Sequence, residues 1–208
     1  MSAFEFFFSF YGLLLGLSAA VIATGLATAI QHRRAIRIGW LTPMLALFVG
    51  LDIANFWDSA WTNFRDLPFS YGLLVAGLAI ALVYFIAASL VFPHQVENGM
   101  SLDDHFWANK TVVLLLTVAA NFLLMLAAVG ANLGKPGGDN VIIGYVLTLV
   151  LYVALVVPAA FARKPRLFAV LIGSHIVIYF LIAVASAMAL FGSVPPQVAH
   201  AVEAHARS

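Results

Sequence analysis

Two carboxylic acids and an amide interrupt one apolar stretch of the chain. Asp52, Asn55 and Asp58 lie within residues 38–61, where most of the other side chains are hydrophobic. A charged side chain at the centre of a membrane helix costs about 2.5–3.5 kcal/mol on insertion scales, so it normally faces other protein or water. Asp52 and Asn55 can share one inward face of a helix, whereas Asp58 lies closer to the membrane surface. Asp52 is therefore the first candidate for a functional group.

Two further polar residues, Asn121 and His175, lie in the middle of later apolar stretches. Counted at about 1.5 Å per residue from the basic residues near the start of each stretch, both are roughly 13–16 Å deep, close to the midplane of a bilayer. Histidine changes its charge near neutral pH and can relay protons. If the three helices converge, one ion pathway would contain the following four residues: Asp52, Asn55, Asn121 and His175.

In that pathway Asp52 would accept the proton or cation and His175 would relay protons. A structural alternative is that the polar groups only bond helices together, an interaction worth about 0.6 kcal/mol on average and up to about 1–2 kcal/mol. The alternative is favoured for Asn121, but less so for Asp52, because an asparagine would bond helices without burying a charge. His175 can equally be a buried neutral imidazole that donates to a backbone carbonyl or to Ser174.

Tyrosines in the apolar stretches form a second group of candidates. Tyr84, Tyr152 and Tyr179 are predicted to be buried, and a buried tyrosine hydroxyl needs a hydrogen-bond partner. Such tyrosines are more often part of a satisfied core, so Tyr84 and Tyr179 are only secondary candidates for the pathway. Asp58 is a third secondary candidate, although its position favours the membrane interface or a pair with Arg65.

Residues 94–109 are expected to form an acidic loop with five potential metal ligands: His94, Glu97, Asp103, Asp104 and His105. The chain has no cysteine and no pair of histidines at zinc-protease spacing, so a solvated loop is favoured and no metal site is predicted. Haem b would need two histidines at membrane depth, and only His175 qualifies. No cofactor is predicted.

The composition places the chain among membrane proteins. Of 208 residues, 63% are hydrophobic and 9% are charged, and the mean hydropathy is +1.03. A spanning helix needs about 20 apolar residues, so the chain can form roughly six. The sequence predicts an all-α integral membrane protein, one six-helix domain over residues 1–192, with a short polar tail at 193–208. The predicted spans are 4–30, 38–61, 69–92, 110–133, 141–161 and 167–191.

The basic residues predict the orientation of these helices. The turns at 31–37 and 162–166 are rich in arginine and lysine, whereas the turns at 62–68 and 134–140 carry one basic residue each. Because basic loops stay in the cytoplasm, both termini are expected outside, in a bacterial cytoplasmic (inner) membrane. The same turns could bind anionic lipid head groups, although their role in orientation explains them without lipid binding.

Two segments resemble each other, which hints at internal repetition. Residues 9–16 (SFYGLLLG) are similar to residues 70–77 (SYGLLVAG), and each begins an odd-numbered span. The similarity suggests three helical hairpins in a pseudo-repeat, an arrangement frequent in transporters.

Three functional hypotheses are compatible with the sequence. The leading one is a small channel or transporter for protons or monovalent cations. The second is an accessory or assembly subunit of a larger membrane complex, and the third is a membrane enzyme acting on lipid or quinone through His94, Asp104 and His105. An enzyme is the less favoured class, because the sequence contains no known catalytic or nucleotide-binding motif. The expected partners are the bilayer, a small ion and further copies or subunits, and a net charge of +1 gives no reason to expect nucleic acid.

Overall fold

The computed structural model describes residues 3–64, 70–95, 97 and 99–192. The described chain is helical, with six helices: α1 (Ala3–Gln31), α2 (Leu41–Phe64), α3 (Tyr71–Val91), α4 (Leu102–Asn132), α5 (Gly138–Phe161) and α6 (Pro165–Gly192). The tail at 193–208 lies outside the described residues, as does Arg65, the alternative partner considered for Asp58.

Five of the six described helices are long and apolar enough to cross a membrane, namely all except α2. Helix α2 has 24 residues, the same length as α5, but it carries Asp52, Asn55 and Asp58. The predicted class, an all-α multi-pass membrane protein, is confirmed.

Helix α2 has the most neighbours in the bundle. The outer helices follow one another in the order α1, α3, α4, α5 and α6, and α2 packs against α1, α3, α4 and α6. Every pair of consecutive helices packs together, including α2 with α3 and α4 with α5, so these contacts do not single out the three predicted hairpins. The two similar sequence segments have different surroundings, because Tyr11 is 2% exposed and Tyr71 is 80% exposed. The proposed repeat therefore gains no support from these two positions.

Helix α4 begins earlier than the sequence predicted. It starts at Leu102, so the expectation of a loop over 94–109 is wrong for its second half. Asp103 and Asp104 occupy the first turn of α4, where the positive end of the helix dipole favours carboxylates. Helix α5 likewise starts at Gly138, inside the turn predicted at 134–140. In both places the polar residues belong to a helix terminus.

The connection before α2 is attached to the connection before α4. The Arg37 amide donates to the Met100 carbonyl at 3.1 Å, and the Leu102 amide donates to the Arg37 carbonyl at 3.1 Å. The Thr42 hydroxyl in the first turn of α2 donates to the Leu102 carbonyl at 3.0 Å. These bonds fix the beginnings of α2 and α4 side by side, which sets the depth of their inward-facing residues.

Side chains of α4 also hold the ends of α3 and α5. The last carbonyls of a helix have no partner within it. His105 Nε2 donates to the Leu90 carbonyl at 3.0 Å, and Lys110 Nζ donates to the carbonyls of Ala159 at 3.3 Å and Ala160 at 2.5 Å. Three helices are thus joined at the end of the bundle that carries the basic turns, which we call the basic end.

Candidate functional site

Asp52 lies in the middle of α2 and is completely buried, with 0% of its surface exposed. The residues on the same face of α2 are large and apolar, including Phe48, Val49 and Phe56, which are also 0% exposed. Such a position excludes water from the carboxylate unless the helices move. The carboxylate must therefore obtain its hydrogen bonds from protein groups.

Four side chains, each from a different helix, supply these bonds. The Tyr84 hydroxyl on α3 donates to Asp52 Oδ2 at 3.2 Å, and the Tyr152 hydroxyl on α5 donates to the same oxygen at 2.9 Å. The Tyr179 hydroxyl on α6 donates to Oδ1 at 2.5 Å, and Asn121 Nδ2 on α4 lies 3.2 Å from both oxygens. We call these five residues the Asp52 cluster. One carboxylate thus connects five helices.

The donors match an ionised carboxylate. A carboxylate offers about four lone-pair sites, each tyrosine offers one O–H, and the amide offers two N–H groups. Bonds of this kind, to a charged acceptor, are roughly twice as strong as bonds between neutral groups. Within the described part of the chain, no lysine, arginine or histidine forms an ion pair with Asp52, and the polar groups around it are uncharged. Among the described residues, a negative charge on Asp52 would be stabilised by these hydroxyl and amide dipoles.

Asn121 is fixed in place by the rest of the network. Its Nδ2 also donates to the Thr117 carbonyl at 3.0 Å, one turn earlier on α4, and approaches the Tyr84 hydroxyl oxygen at 3.2 Å. The Tyr84 hydroxyl can therefore accept from Asn121 while it donates to Asp52. Because Nδ2 carries only two hydrogens and one points to the Thr117 carbonyl, the other is shared between the Tyr84 hydroxyl and the Asp52 carboxylate.

His175 lies beside the cluster and packs against two of its tyrosines. Its ring meets those of Tyr152 and Tyr179 edge to face, with centroids 4.9 Å and 4.7 Å apart, and it meets Phe48 in the same way at 5.5 Å. His175 is 5% exposed, and among the described residues its Nδ1 has no hydrogen-bond partner. The alternative in which His175 donates to Ser174 is not found among the hydrogen bonds of the described residues, where the Ser174 hydroxyl donates to the Val170 carbonyl.

The other two candidate residues on α2, Asn55 and Asp58, lie apart from these contacts. Asn55 is half-buried and is not among the side chains that donate to Asp52 in the described structure. Asp58 is exposed and lines a shallow surface pocket with Trp57 and Trp61. The structure thus brings Asp52 and Asn121 together and places His175 next to them, but it does not add Asn55 or Asp58. An ion pathway through these residues stays a prediction.

The sequence understated the role of the tyrosines. Position in the sequence makes Tyr84 and Tyr179 secondary candidates and gives Tyr152 no role beyond the core, yet all three hydroxyls donate to the same carboxylate. The available signal was their position, because each hydroxyl lies in an apolar helix and requires a partner. A buried carboxylate is the strongest acceptor such a chain can offer.

The polar residues at the basic end form no second cluster of this kind. His105 contacts the Leu90 carbonyl and Asn109, Asp104 is exposed, and His94 lines a groove between α1 and α3. The hydrogen bonds of the described residues do not join these three side chains to one another. The convergence that an enzyme at the membrane surface would need is not present among them.

Two cavities lined by described residues lie at the surface of the bundle, and neither reaches the Asp52 cluster. The larger, about 650 Å³, lies between α1 and α3, and the smaller is the surface pocket at Asp58. Their linings contain no member of the cluster. Because Asp52 is also 0% exposed, an ion could reach its carboxylate only if the surrounding groups moved.

No protein-family model matches this chain, and neither a curated protein nor a solved structure matches it significantly. The geometry of the Asp52 cluster is accordingly the basis for a functional proposal.

Proposed function

We propose that the protein transports protons or a monovalent cation across a membrane, with Asp52 as the group that binds the transported ion. The observation that carries this proposal is the fully buried carboxylate, which is surrounded by hydroxyl and amide groups from four helices and has no basic partner among the described residues. Buried charges in proteins are normally paired. An unpaired carboxylate at the centre of a bundle is suited to take up a proton or a cation.

The tyrosine hydroxyls allow both occupants. A hydroxyl donates one hydrogen but also has two lone pairs, so rotation of its O–H changes it from a donor into an acceptor. With Asp52 protonated, a tyrosine oxygen can accept the new O–H; with a cation bound, the hydroxyl oxygens can join the carboxylate as ligands, which suits hard cations. Tyr84, Tyr152 and Tyr179 could therefore stay bonded to Asp52 both when it is protonated and when it binds a cation.

His175 favours the proton over a metal cation. Its Nδ1 is buried without a partner in the described structure, and its ring touches Tyr152 and Tyr179, which both donate to Asp52. A neutral imidazole nitrogen can accept a proton, and histidine is the side chain most often used for proton relay near neutral pH. We therefore assign His175 the role of proton relay to or from Asp52.

The closed surroundings of Asp52 support a transporter more than an open channel. An open channel needs a continuous path, whereas a transporter exposes a central site to one side at a time through movement of its helices. Protonation or ion binding at Asp52 would change the bonds that hold five helices together, and so could drive such a movement. The orientation that accompanies this proposal puts the basic end in the cytoplasm and both termini outside a bacterial inner membrane.

The same sealed geometry favours one alternative, an accessory subunit in which the Asp52 cluster only stabilises the fold. A carboxylate that joins four partner helices can hold a bundle together without ever releasing its bonds. In that case no ion would move through the protein by itself, and function would depend on other subunits.

The test is ion flux into liposomes that contain only the purified protein. An internal pH-sensitive dye would report proton uptake after an imposed pH gradient, with K⁺ and valinomycin to compensate charge, and Na⁺ and K⁺ gradients would be applied separately. Asp52→Asn keeps the shape of the side chain but removes its charge. Asp58→Asn is the matched control, because it makes the same change on the same helix at an exposed residue.

We expect flux in wild type and in Asp58→Asn, and at least a tenfold loss in Asp52→Asn. His175→Gln should slow proton flux, whereas His32→Gln, at an exposed histidine, should not. If folded wild-type protein gives no more flux than empty liposomes, the transporter hypothesis is rejected and the accessory subunit is the remaining function. Flux unaffected by Asp52→Asn would remove Asp52 from the pathway.

A further inference from the structure

The groove between α1 and α3 has the form of a lipid site. It is a cavity of about 650 Å³, within the range of about 300–1,000 Å³ typical of sites for small molecules. Its walls are mostly apolar, and Leu17 on α1 and Phe85 and Ile86 on α3 are 47%, 37% and 49% exposed. Both helices are long and apolar enough to span a membrane, so the groove opens sideways to the acyl chains of the bilayer.

Polar groups are confined to one part of the groove lining. Thr24, Thr28, Ser89 and His94 belong to it, and Thr28 and His94 lie near the ends of α1 and α3 that reach the basic end. The groove is therefore amphipathic along its length, apolar toward the middle of the membrane and polar toward its surface. A molecule with an apolar chain and a polar head matches this distribution.

Two exposed arginines, Arg33 and Arg34, come just after the end of α1 at Gln31, five and six residues after Thr28. The Thr28 carbonyl accepts from His32 Nδ1 at 2.9 Å, and the next two residues, Arg33 and Arg34, are exposed. Arg33 bonds weakly to the Ile30 carbonyl, at 3.5 Å, which leaves most of its guanidinium hydrogens for other acceptors. Asp103, one of the acidic residues at this end, packs against Gly39 in the connection before α2.

We propose that this groove binds an anionic phospholipid, with one acyl chain between α1 and α3 and the head group on Arg33 and Arg34. Basic residues at a membrane surface attract anionic lipid with an energy of about 1 kcal/mol each, and arginine binds phosphate through paired N–H groups. The bound lipid would fill a space between two helices that pack directly against each other. The site is separate from the Asp52 cluster and does not depend on ion transport.

The test uses the full-length protein in mild detergent and native mass spectrometry, with phosphatidylglycerol and phosphatidylcholine of the same acyl chains as probes. Ala20→Trp places a large side chain in the groove, and Ala19→Trp is the control, since Ala19 is an exposed neighbour on α1 that is absent from the groove lining. Arg33→Ala/Arg34→Ala removes the head-group contacts. Arg163→Ala/Arg166→Ala makes the same change at two exposed arginines of the other basic turn.

We expect wild type to retain one phosphatidylglycerol and to lose phosphatidylcholine. Ala20→Trp should abolish retention, and the Arg33/Arg34 double variant should weaken it roughly 10- to 30-fold, as expected for two surface arginines, while both controls behave as wild type. Equal retention of the two lipids, or equal effects of a variant and its control, would overturn the proposal. If the wild type instead forms a lipid-free dimer that the Ala20→Trp substitution dissociates, the occupant of the groove is a second copy of this chain. Circular dichroism of each variant would verify that it is folded.

Discussion

Asp52 and Lys110 are both buried charged residues, and the protein accommodates them in opposite ways. Asp52 is 0% exposed and Lys110 is 4% exposed, yet they are not partners. Asp52 receives its bonds from side chains on four other helices. Lys110 gives its bonds to two main-chain carbonyls at the end of α5, and its ammonium also lies 5.3 Å from the centre of the Trp107 ring.

The difference follows from the position of each residue along the helices. In the middle of a helix every backbone N–H and C=O is already bonded within that helix, so a carboxylate at that depth can only be bonded by side chains. At a helix end the last carbonyls are free and carry the negative end of the dipole, so a cation finds acceptors without any dedicated side chain. A buried anion at middle depth therefore requires a set of matched residues, whereas a buried cation at an end does not.

The largest effect should come from Asp52→Leu, which removes the acceptor shared by Tyr84, Tyr152, Tyr179 and Asn121. Each unsatisfied buried polar group costs about 1–3 kcal/mol, partly offset here because a buried charge is also removed, so we expect a loss of about 3–5 kcal/mol in unfolding free energy. Denaturant titration in detergent, followed by circular dichroism, measures it. Asp52→Asn, which retains an acceptor, should lower the unfolding free energy clearly less than Asp52→Leu. Equal losses would mean that the shape of the residue, and not its hydrogen bonds, determines the stability.

A smaller effect is expected from Lys110→Met, which keeps the length of the apolar stem. Loss of a charged donor to the Ala159 and Ala160 carbonyls should reduce the free energy of unfolding by about 2 kcal/mol, since the Thr111 hydroxyl still donates to the Ala160 carbonyl at 2.8 Å. Lys164→Met at the exposed turn is the control and should have little effect in the same titration. A stability unchanged by Lys110→Met would show that these carbonyls need no cation.

Removal of single hydroxyls should have a still smaller effect. Tyr152→Phe and Tyr179→Phe each delete one of four donors to the carboxylate, with an expected loss of about 1–2 kcal/mol. Tyr71→Phe, at a tyrosine that is 80% exposed, should leave the unfolding free energy unchanged within error and serves as the control.

A double-mutant cycle between each tyrosine and Asp52 isolates the pairwise energy. The Phe substitutions should lose most of their effect when Asp52 is already Leu. Additive losses would contradict a direct bond between the hydroxyl and the carboxylate.

The smallest effect is expected at Asp58, the other carboxyl of α2. Asp58→Asn should change the unfolding free energy by less than about 0.5 kcal/mol, because surface substitutions away from special features seldom exceed that value. The same titration, run beside Asp52→Asn, tests whether burial distinguishes two aspartates on one helix. A similar loss of unfolding free energy at both positions would mean that any negative charge on α2 stabilises the protein, independently of the Asp52 cluster.

Much of the helical fold could be predicted from hydropathy. The sequence predicts six spans, and the described residues form six helices, of which all but α2 are long and apolar enough to cross a membrane. The prediction is possible because a helix satisfies its own backbone in lipid and needs only a sufficient run of apolar residues. The boundaries at Leu102 and Gly138 were predicted wrongly. Both follow polar or glycine-containing segments, where local composition resembles a loop and only contacts with other segments decide where the helix begins.

The site was predicted only in outline. Asp52 stood out because ionisable groups are rare in membrane helices, and Asn121 and His175 were identified by depth. Tyr152 was missed, and Asn55 was included because it lies one helical turn from Asp52. Depth can be counted along a sequence, but the direction of a side chain around the helix depends on which neighbours pack against each face.

The sequence by itself determined that this chain forms apolar helices and that Asp52 lies deep within one of them, because hydropathy and rise per residue act along the chain. Only the tertiary structure decided which groups meet the carboxylate. Tyr84, Asn121, Tyr152 and Tyr179 are separated from Asp52 by 32 to 127 positions in the chain, and no local pattern relates them. Their convergence results from the packing of α3, α4 and α6 against α2 and from the reach of the Tyr152 side chain from α5, since the fold must supply every bond that lipid cannot give to a buried charge.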